Sequence, residues 1–333
     1  MGKETPRIVW IDYVKVLACV FVVMGHFFQS MTRAGILPEN AWYLWIEQTI
    51  YYFHVPLFFI CSGWLYQKRC SVHSLKSWEL HTANKAVSLG VPYLTFSTVT
   101  WLLKTLFSDS VNIQAEGLIS TLLWHPASPF WYLYALFLLF ALTPTFRNGK
   151  AALLYLLTAA GLKCFVPGTQ IQAVHYILQN EIWFVIGMCL CYFGLTEPMP
   201  HGNMLGVVSG VVFLVMSVMA FFRHWGSGTA AFLLGVLGCG WILLMEVNLF
   251  SNGRHFAPFD FLAQYTMPIF LMHTIFAASF RAVLLKIGVD QTAVHVIGGV
   301  AVSFAGPIVA AMLMKKSKWL EFFLYPQKFL KIG

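Results

Sequence analysis

The chain is dominated by long runs of apolar residues that few charges interrupt. Of its 333 residues, 59% are hydrophobic and only 10% are charged, whereas soluble domains carry about 25% charged residues. A chain with so little polar surface cannot enclose its apolar residues in a water-soluble fold. A run of about 20 apolar residues is long enough to cross a bilayer as a helix. The sequence therefore predicts an all-α, polytopic integral membrane protein.

Windows of about 20 residues divide the sequence into predicted transmembrane helices. No soluble domain is appended, so residues 1–333 are interpreted as a single transmembrane domain. The short apolar segment 117–124 cannot cross and is expected to lie at the interface or to re-enter the membrane. The predicted spans are ten in number, at residues 9–30, 43–67, 84–107, 129–146, 149–166, 178–195, 203–223, 228–248, 260–285 and 292–314.

Basic residues gather in loops that this arrangement puts on one side of the membrane. The connection 108–128 carries Asp109 and Glu116 without any Lys or Arg, which fits the outer side. Both termini are therefore predicted to be cytoplasmic, and nucleic acid is not an expected partner because the net charge of +8 is spread over loops and the tail. With the N-terminus in the cytoplasm, 14 of the 21 Lys and Arg residues are cytoplasmic, namely Lys3, Arg7, Lys68, Arg69, Lys76, Lys85, Arg147, Lys150, Arg254, Lys315, Lys316, Lys318, Lys328 and Lys331.

Lys15 and His26 lie inside the first predicted span, where a charged or titratable side chain is costly and therefore indicates a function. Eleven residues at about 100° each come to roughly three turns, so the two side chains share one face about 16 Å apart. Asp12 is close enough to pair with Lys15. Histidine can take a proton from a hydroxyl near neutral pH, and a lysine near the cytoplasmic face suits a phosphate. In a second interpretation, Lys15 snorkels to the interface and His26 only joins two helices.

Further polar residues are embedded in later spans. His54 lies mid-span in the second, Glu181 opens the sixth on the outer side, and His273 lies mid-span in the ninth. We expect these three to contribute to substrate binding, although each alone is also typical of helix packing. No metal is expected at His26, His54 and His273, because no ligand-spacing motif supports one. The seven cysteines are odd in number and contain no CxxC pair, so neither a disulfide framework nor a zinc site is indicated.

A His-x4-Asp pattern at His255 and Asp260 matches a motif of glycerolipid acyltransferases. It falls in a short predicted cytoplasmic loop, without the soluble fold that the motif requires. A chance match is therefore the favoured interpretation.

Four segments, in the order in which they occur, resemble the membrane-bound acyltransferase-3 family. Asp12–His26 resembles its opening helix, with a basic-x10-His signature, and Pro56–Gly63 resembles its apolar-Ser-Gly second helix. Trp131–Tyr134 resembles the aromatic start of its fourth helix, and Tyr265–His273 its Tyr…Leu-x-His late helix. The ordered matches extend from about residue 8 to residue 315.

The resemblance implies an enzyme that transfers an acyl group, usually acetyl, from cytoplasmic acyl-CoA to a carbohydrate hydroxyl. It implies that His26 is the catalytic residue and that Lys15, with Asp12 beside it, is a donor-side or structural partner. The expected acceptor is a surface glycan or glycolipid, and the expected location is a bacterial inner (plasma) membrane. A pantetheine arm is comparable in length to the separation between Lys15 and His26.

The sequence departs from the family where the third helix begins. Many members carry a basic pair there, whereas here Lys85 is the one firm cation in that stretch. We therefore expect Lys85 to bind the CoA phosphates, with Lys68 and Arg69 from the preceding loop in support.

A proton-coupled transporter or flippase of a surface-polysaccharide precursor is the alternative, since a polar track through a helix bundle also suits a carrier. Inverted repeats and paired broken helices, which are typical of carriers, are not seen in the sequence. The acceptor, the length of the acyl chain and a covalent acyl-enzyme all stay open. Gly206-x3-Gly210 packs helices either within one chain or between copies, so a homo-oligomer stays open as well.

Overall fold

A computed structural model describes residues 7–108, 112–165, 170–225 and 228–330, and within these ranges the chain is helical without any strand. Lys3, Asp109 and Lys331, which enter the predicted topology, lie outside the described residues. The helices are α1 (Val9–Arg33), α2 (Ala41–Arg69), α3 (Leu75–Lys85), α4 (Val91–Leu106), α5 (Trp131–Leu142), α6 (Gly149–Lys163), α7 (Gln172–Tyr192), α8 (Gly202–Phe222), α9 (Gly228–Phe250), α10 (Ala257–Ala263), α11 (Thr266–Lys286), α12 (Thr292–Met314) and α13 (Lys318–Leu324).

Each of the ten predicted spans contains a helix, so the all-α polytopic fold is confirmed. In the described part of the chain, seven helices are long and apolar enough to cross a membrane, counting α3 and α4 as one continuous helix from Leu75 to Leu106. The other six are α1, α7, α8, α9, α11 and α12. The total of ten crossings and the cytoplasmic location of both termini stay predictions.

Two boundaries differ from the prediction. A single helix over residues 260–285 is wrong, because α10 ends at Ala263 and α11 begins at Thr266. Tyr265 between them is not helical, and Pro268 is tolerated because it lies in the first turn of α11. The third span starts at Leu75 rather than residue 84, and a π-helical segment, Ala86–Gly90, joins α3 to α4. Pro92 follows that segment and cannot donate a backbone hydrogen bond into it.

Helix α1 occupies the middle of the bundle. It packs against α2, α9, α10, α11 and α12, and its apolar residues from Trp10 to Met31 contribute much of the buried core. Helices α1 and α11 run in the same direction, whereas α2 runs antiparallel to α1. The start of α1 therefore lies beside the end of α2, and the end of α1 lies beside the end of α11.

Two glycines let α2 and α7 approach until their backbones touch. A Cβ at Gly63 would stand 2.0 Å from the carbonyl oxygen of Phe184, and one at Gly187 would stand 2.0 Å from that of Ile60. Small residues at such crossings are typical of membrane helix pairs. This contact fixes α2, which carries His54 and Arg69, against the rest of the bundle.

Proline and glycine also shape the packing of α9. Pro56 in α2 has no N–H to donate to the carbonyl oxygen of Tyr52. Gly235 of α9 lies against this oxygen, because a Cβ built on Gly235 would stand only 2.8 Å from it. The Gly206-x3-Gly210 motif is used within the chain, because both glycines of α8 pack on side chains of α9.

Candidate active site

A polar cavity of about 190 Å³ opens where α1 begins, α2 ends and α10 ends. Its charged lining consists of Arg7, Asp12 and Lys15 from the start of the chain and Arg69 from the last turn of α2. Three cations and one carboxylate leave a net positive charge, which suits a phosphate group. We call this the cation cavity. It brings together Lys15 and Arg69, which the sequence predicts as separate parts of the site.

Asp12, Lys85 and Lys68 make contacts that the sequence did not predict, while the roles of Lys85 and Lys68 at the CoA phosphates stay predictions. Asp12 forms its ion pair with Arg7, at 4.0 Å between Oδ2 and Nε, and not with Lys15. Lys85 lies outside the cation cavity, with its ammonium 4.0 Å from the ring centre of Phe140. Lys68 also lies outside it, 6.0 Å from the ring of Trp64. Arg7, which the sequence indicates only as one of the cytoplasmic basic residues, is an additional cation at this cavity.

The three predicted histidines meet at the opposite end of the α1–α2 contact. The ring of His26 stacks on that of His273 with centroids 5.5 Å apart. The ring of Tyr51 stands edge-on to those of His26 and His54, with centroids 6.5 Å and 4.8 Å away respectively. We call these four residues the histidine cluster. His54 and His273 are buried, with 2% and 1% of their surface exposed, whereas His26 is partly exposed.

Hydrogen bonds to the backbone fix which ring nitrogens carry protons. Nδ1 of His54 lies 2.7 Å from the carbonyl oxygen of Ile50, and Nδ1 of His273 lies 3.0 Å from those of Ile269 and Phe270. A carbonyl oxygen can only accept, so Nδ1 is the donor in both rings and Nε2 of each neutral ring keeps a lone pair. Nε2 of His273 is buried without any hydrogen-bond partner in the described residues. An unsatisfied buried nitrogen beside His26 is typical of a functional site.

Residues outside the predicted set complete the surroundings of His26. Its Nε2 lies 3.5 Å from the hydroxyl of Ser128, which precedes α5. Tyr51 could have been predicted, because it lies three residues before His54 and hence on the same helix face. Ser128 comes from a long connection and has no comparable signal. Glu181 on α7 makes no hydrogen bond or ion pair with these rings in the described structure, so its role in substrate binding stays a prediction.

A buried aromatic cluster lies at intermediate depth between the cation cavity and the histidine cluster. Phe58 follows His54 by one turn on α2, and Phe270 precedes His273 by one turn on α11. The ring of Tyr132 lies 5.4 Å from Phe58 and 5.5 Å from Phe270. These rings line the interior along the direction that joins the two ends of the site.

A second group of catalytic residue types, Glu116, Ser120 and His125, lies in the connection before α5. Ser120 Oγ donates to Glu116 at 2.8 Å, and His125 Nδ1 lies 3.1 Å from Ser120 Oγ and 3.0 Å from Glu116 Oε2. In a serine–histidine–acid triad, the serine and the acid contact opposite ring nitrogens, whereas here both use Nδ1. The bonds from Ser120 and His125 hold the pKa of the Glu116 carboxyl below its ordinary value. The group therefore braces this connection and is not arranged as a triad.

The His-x4-Asp pattern does bring its two residues together. His255 Nδ1 lies 3.1 Å from Asp260, and the Tyr13 hydroxyl donates to the same carboxylate at 2.9 Å. These two bonds, that of His255 first, hold the pKa of Asp260 below its ordinary value. Tyr13 also accepts from the backbone N–H of Phe256 at 2.7 Å. The contacts join the start of α10 to α1 near the cation cavity, which gives the pattern a structural use.

The described residues contain no group of three or more His, Cys, Asp or Glu side chains placed to hold a metal ion.

An apolar helical bundle with a cation-lined cavity and a histidine cluster along one central helix defines an integral membrane protein with an internal site. The chain belongs to the acyltransferase-3 family, whose acyltransferase domain matches residues 8–312. The resemblance found in the sequence is therefore confirmed.

Two curated relatives share part of the chain. The nodulation protein NolL of Mesorhizobium japonicum is 26% identical over 230 residues, which cover 66% of this chain and 57% of the relative. That of Sinorhizobium fredii is 25% identical over 228 residues, covering 68% and 60% respectively. The chain therefore spans less than two thirds of the length of these relatives. No solved structure matches the chain.

The unsatisfied nitrogen of His273 leads to a prediction that separates a role at the site from a role in packing. His273→Leu removes the unsatisfied Nε2, which favours stability, but also the hydrogen bond from Nδ1 to the carbonyls of Ile269 and Phe270, and each effect is of the order of 1 kcal/mol. We therefore expect the variant to keep a thermal stability in detergent close to that of the wild type while acyl transfer falls at least tenfold. Unfolding followed by intrinsic fluorescence and transfer of a labelled acyl group measure the two effects. A variant that transfers normally would assign His273 to packing.

Proposed function

We propose that this protein transfers an acetyl group from acetyl-CoA, bound at the cation cavity, to a hydroxyl of a carbohydrate or glycolipid bound at the histidine cluster. The observation that supports it most is the arrangement along α1. One helix contributes Lys15 to a positive cavity and His26 to a cluster of buried imidazoles, about 16 Å apart. This distance matches the arm of a CoA thioester whose phosphates stay at the cavity.

The donor side follows from charge. The CoA diphosphate suits cations that approach from more than one direction, and the cavity offers Lys15 of α1, Arg7 just before α1 and Arg69 of α2. Arginine can contact phosphate through two N–H groups, whereas lysine acts as a point charge. In this proposal the arm runs between α1 and the aromatic cluster and ends at His26. Lys85 then has no direct role in phosphate binding.

The acceptor side follows from the residues around His26. Gln29 of α1 donates to Glu47 of α2 at 2.9 Å, one turn beyond the histidine cluster, and Tyr51 and Ser128 border His26. An aromatic ring with a few well-placed polar groups is typical of a small-molecule site. Amide, carboxylate and hydroxyl groups suit the many hydroxyls of a sugar.

The chemistry requires one proton carrier. His26 takes the proton of the acceptor hydroxyl while its oxygen attacks the thioester carbonyl. The C–O bond forms, the C–S bond breaks, and the CoA sulfur leaves with the proton that His26 returns. The ring of His273, stacked on His26, positions it for this exchange. No covalent acyl-enzyme is required.

The sidedness is part of the proposal. Basic residues predominate at the end of the bundle that holds the cation cavity, which the positive-inside rule assigns to the cytoplasm. The acceptor hydroxyl would then be modified on the opposite face of a bacterial inner membrane, where surface carbohydrates are exposed.

Charge removal at the cation cavity tests the donor site. We expect Arg69→Gln to raise the KM for acetyl-CoA about tenfold, because a hydrogen bond to a charged group contributes about 1.5–3 kcal/mol and about 1.4 kcal/mol is tenfold. The measurement is transfer from labelled acetyl-CoA into membrane glycans of vesicles. Acetyl-CoA should also raise the Tm of the purified wild type more than that of the variant.

Lys76→Gln is the matched control, since Lys76 is an exposed cation of α3 that does not line the cavity. Its KM should equal that of the wild type. An unchanged KM and Tm shift in Arg69→Gln, or an equal loss in both variants, would remove the donor site from this cavity.

A further inference from the structure

A buried arginine lies beyond His26, on the side away from the cation cavity. Arg281 of α11 is 3% exposed, and its Nη1 donates to both the carbonyl and the hydroxyl oxygen of Ser30 in α1. Ser30 follows His26 by four residues, so it lies about 6 Å further along the helix axis. Asn112 donates to the same carbonyl at 3.0 Å. The amide and the guanidinium thus meet at the end of α1 that adjoins the histidine cluster.

The charge of Arg281 is not balanced within the described part of the chain. Its guanidinium forms no ion pair there, since the described ion pairs involve other residues. A buried charge in a membrane protein is costly unless it is paired. The carbonyl and hydroxyl of Ser30 offset the positive charge of Arg281 only in part, because both groups are neutral. Both also accept from Nη1, which is one of the three guanidinium nitrogens. The remaining N–H groups form a fork that matches a carboxylate or phosphate.

We propose that Arg281 binds an oxyanion carried by the acceptor, so that the preferred acceptor is an acidic carbohydrate. The proposal rests on the function proposed above and narrows its substrate class. The separation of about 6 Å along α1 is close to the width of one sugar ring. A carboxylate or phosphate on the acceptor would therefore meet Arg281 while a hydroxyl of the same or the next sugar meets His26. Arg281 is a specificity-determining residue in this arrangement, whereas His26 is the catalytic one.

A purely structural role for Arg281 makes a different prediction. A cation at the C-terminal end of a helix is favourable toward the last carbonyls, so Arg281 would only hold the end of α1. Its loss would then lower stability and reduce transfer to every acceptor equally. Selective loss with acidic acceptors alone requires a direct contact.

The experiment compares three soluble sugars as competitors of acetyl transfer to vesicle glycans at saturating acetyl-CoA. The probes are methyl glucuronide with a carboxylate, glucose 6-phosphate with a phosphate, and methyl glucoside as the neutral match. We expect at least one acidic probe to inhibit the wild type at least tenfold more strongly than methyl glucoside. Arg281→Gln should lose this preference, and the more strongly inhibiting acidic probe identifies the group. Arg223→Gln, at the exposed end of α8, should retain it.

Equal inhibition of the wild type by all three sugars, or an acid preference that survives in Arg281→Gln, would overturn the proposal. If Arg281→Gln does not insert, Arg281→Lys takes its place, and it should lose at least threefold of the preference because the bidentate fork is gone. Unchanged preference in Arg281→Lys would then contradict the contact. Thermal stabilisation of purified protein by the acidic probe, compared between wild type and variant, measures the same binding without turnover. It therefore separates a failure of this proposal from a failure of acyl transfer itself.

Discussion

His26→Ala is expected to reduce acyl transfer by about two to four orders of magnitude, the usual contribution of a general acid–base residue. The side chain is partly exposed. Its removal should therefore destabilise the bundle less than the loss of a fully buried side chain would, and the variant should still fold. Acetyl-CoA should still stabilise the variant, because the cation cavity lies about 16 Å away. Transfer in vesicles and the Tm with and without acetyl-CoA measure these effects.

His125→Ala is the matched control for this experiment. His125 is 60% exposed in the connection before α5, and its contacts with Glu116 and Ser120 share one ring nitrogen. Its loss should leave the transfer rate within about twofold of the wild type. Normal transfer by a folded His26→Ala, or a large loss in His125→Ala, would move the chemistry away from the histidine cluster.

Gly63→Ala is expected to destabilise the whole bundle, the largest effect on stability that we predict. The new methyl group would stand 2.0 Å from the backbone carbonyl oxygen of Phe184. A side chain could change rotamer to relieve such a clash, whereas a backbone atom in a packed helix cannot. Overpacking costs about 1–3 kcal/mol, sometimes more, and here the two helices must separate. We therefore expect a lower Tm in detergent and weaker insertion, and Gly187→Ala should act in the same way.

Gly240→Ala provides the comparison, since Gly240 is also interior to a helix but has nothing within 4 Å of its Cβ position. Alanine favours a helix over glycine by about 1 kcal/mol, so this variant should be as stable as the wild type or more so. Equal stability of Gly63→Ala and Gly240→Ala would mean that α2 and α7 can separate freely. The close contact would then not define the position of α2.

Helix geometry alone predicted that Lys15 and His26 share one face of α1, because eleven residues make three turns. The structure turns both toward α2 and the α10–α11 segment, while their roles in transfer stay predictions. Tyr51 was within reach of the same argument. Arg281 was not, because only the packing of α11 on α1 shows that its guanidinium is buried without an acidic partner among the described residues.

The partner of each charged side chain could not be predicted in the same way. Asp12 lies three residues from Lys15, yet its ion pair is with Arg7, five residues before it. Lys85 has the right charge and the right position near a span end, but the course of α3 carries it to Phe140. Local spacing limits what is within reach, and competition among several partners then decides the contact.

The sequence by itself determined that this protein is a helical bundle in a membrane, with Lys15 and His26 on one face of its first helix. Both follow from hydrophobic length and the period of the helix, which are local properties. Only the tertiary structure decided that three histidines from α1, α2 and α11 share one cluster, and which cations surround the cavity. These contacts join separate helices, some as far apart in the sequence as His26 and His273, so they depend on how whole helices pack. The glycines at the α2–α7 contact fix the position of one of these helices, α2, and no motif around His54 reports that contact.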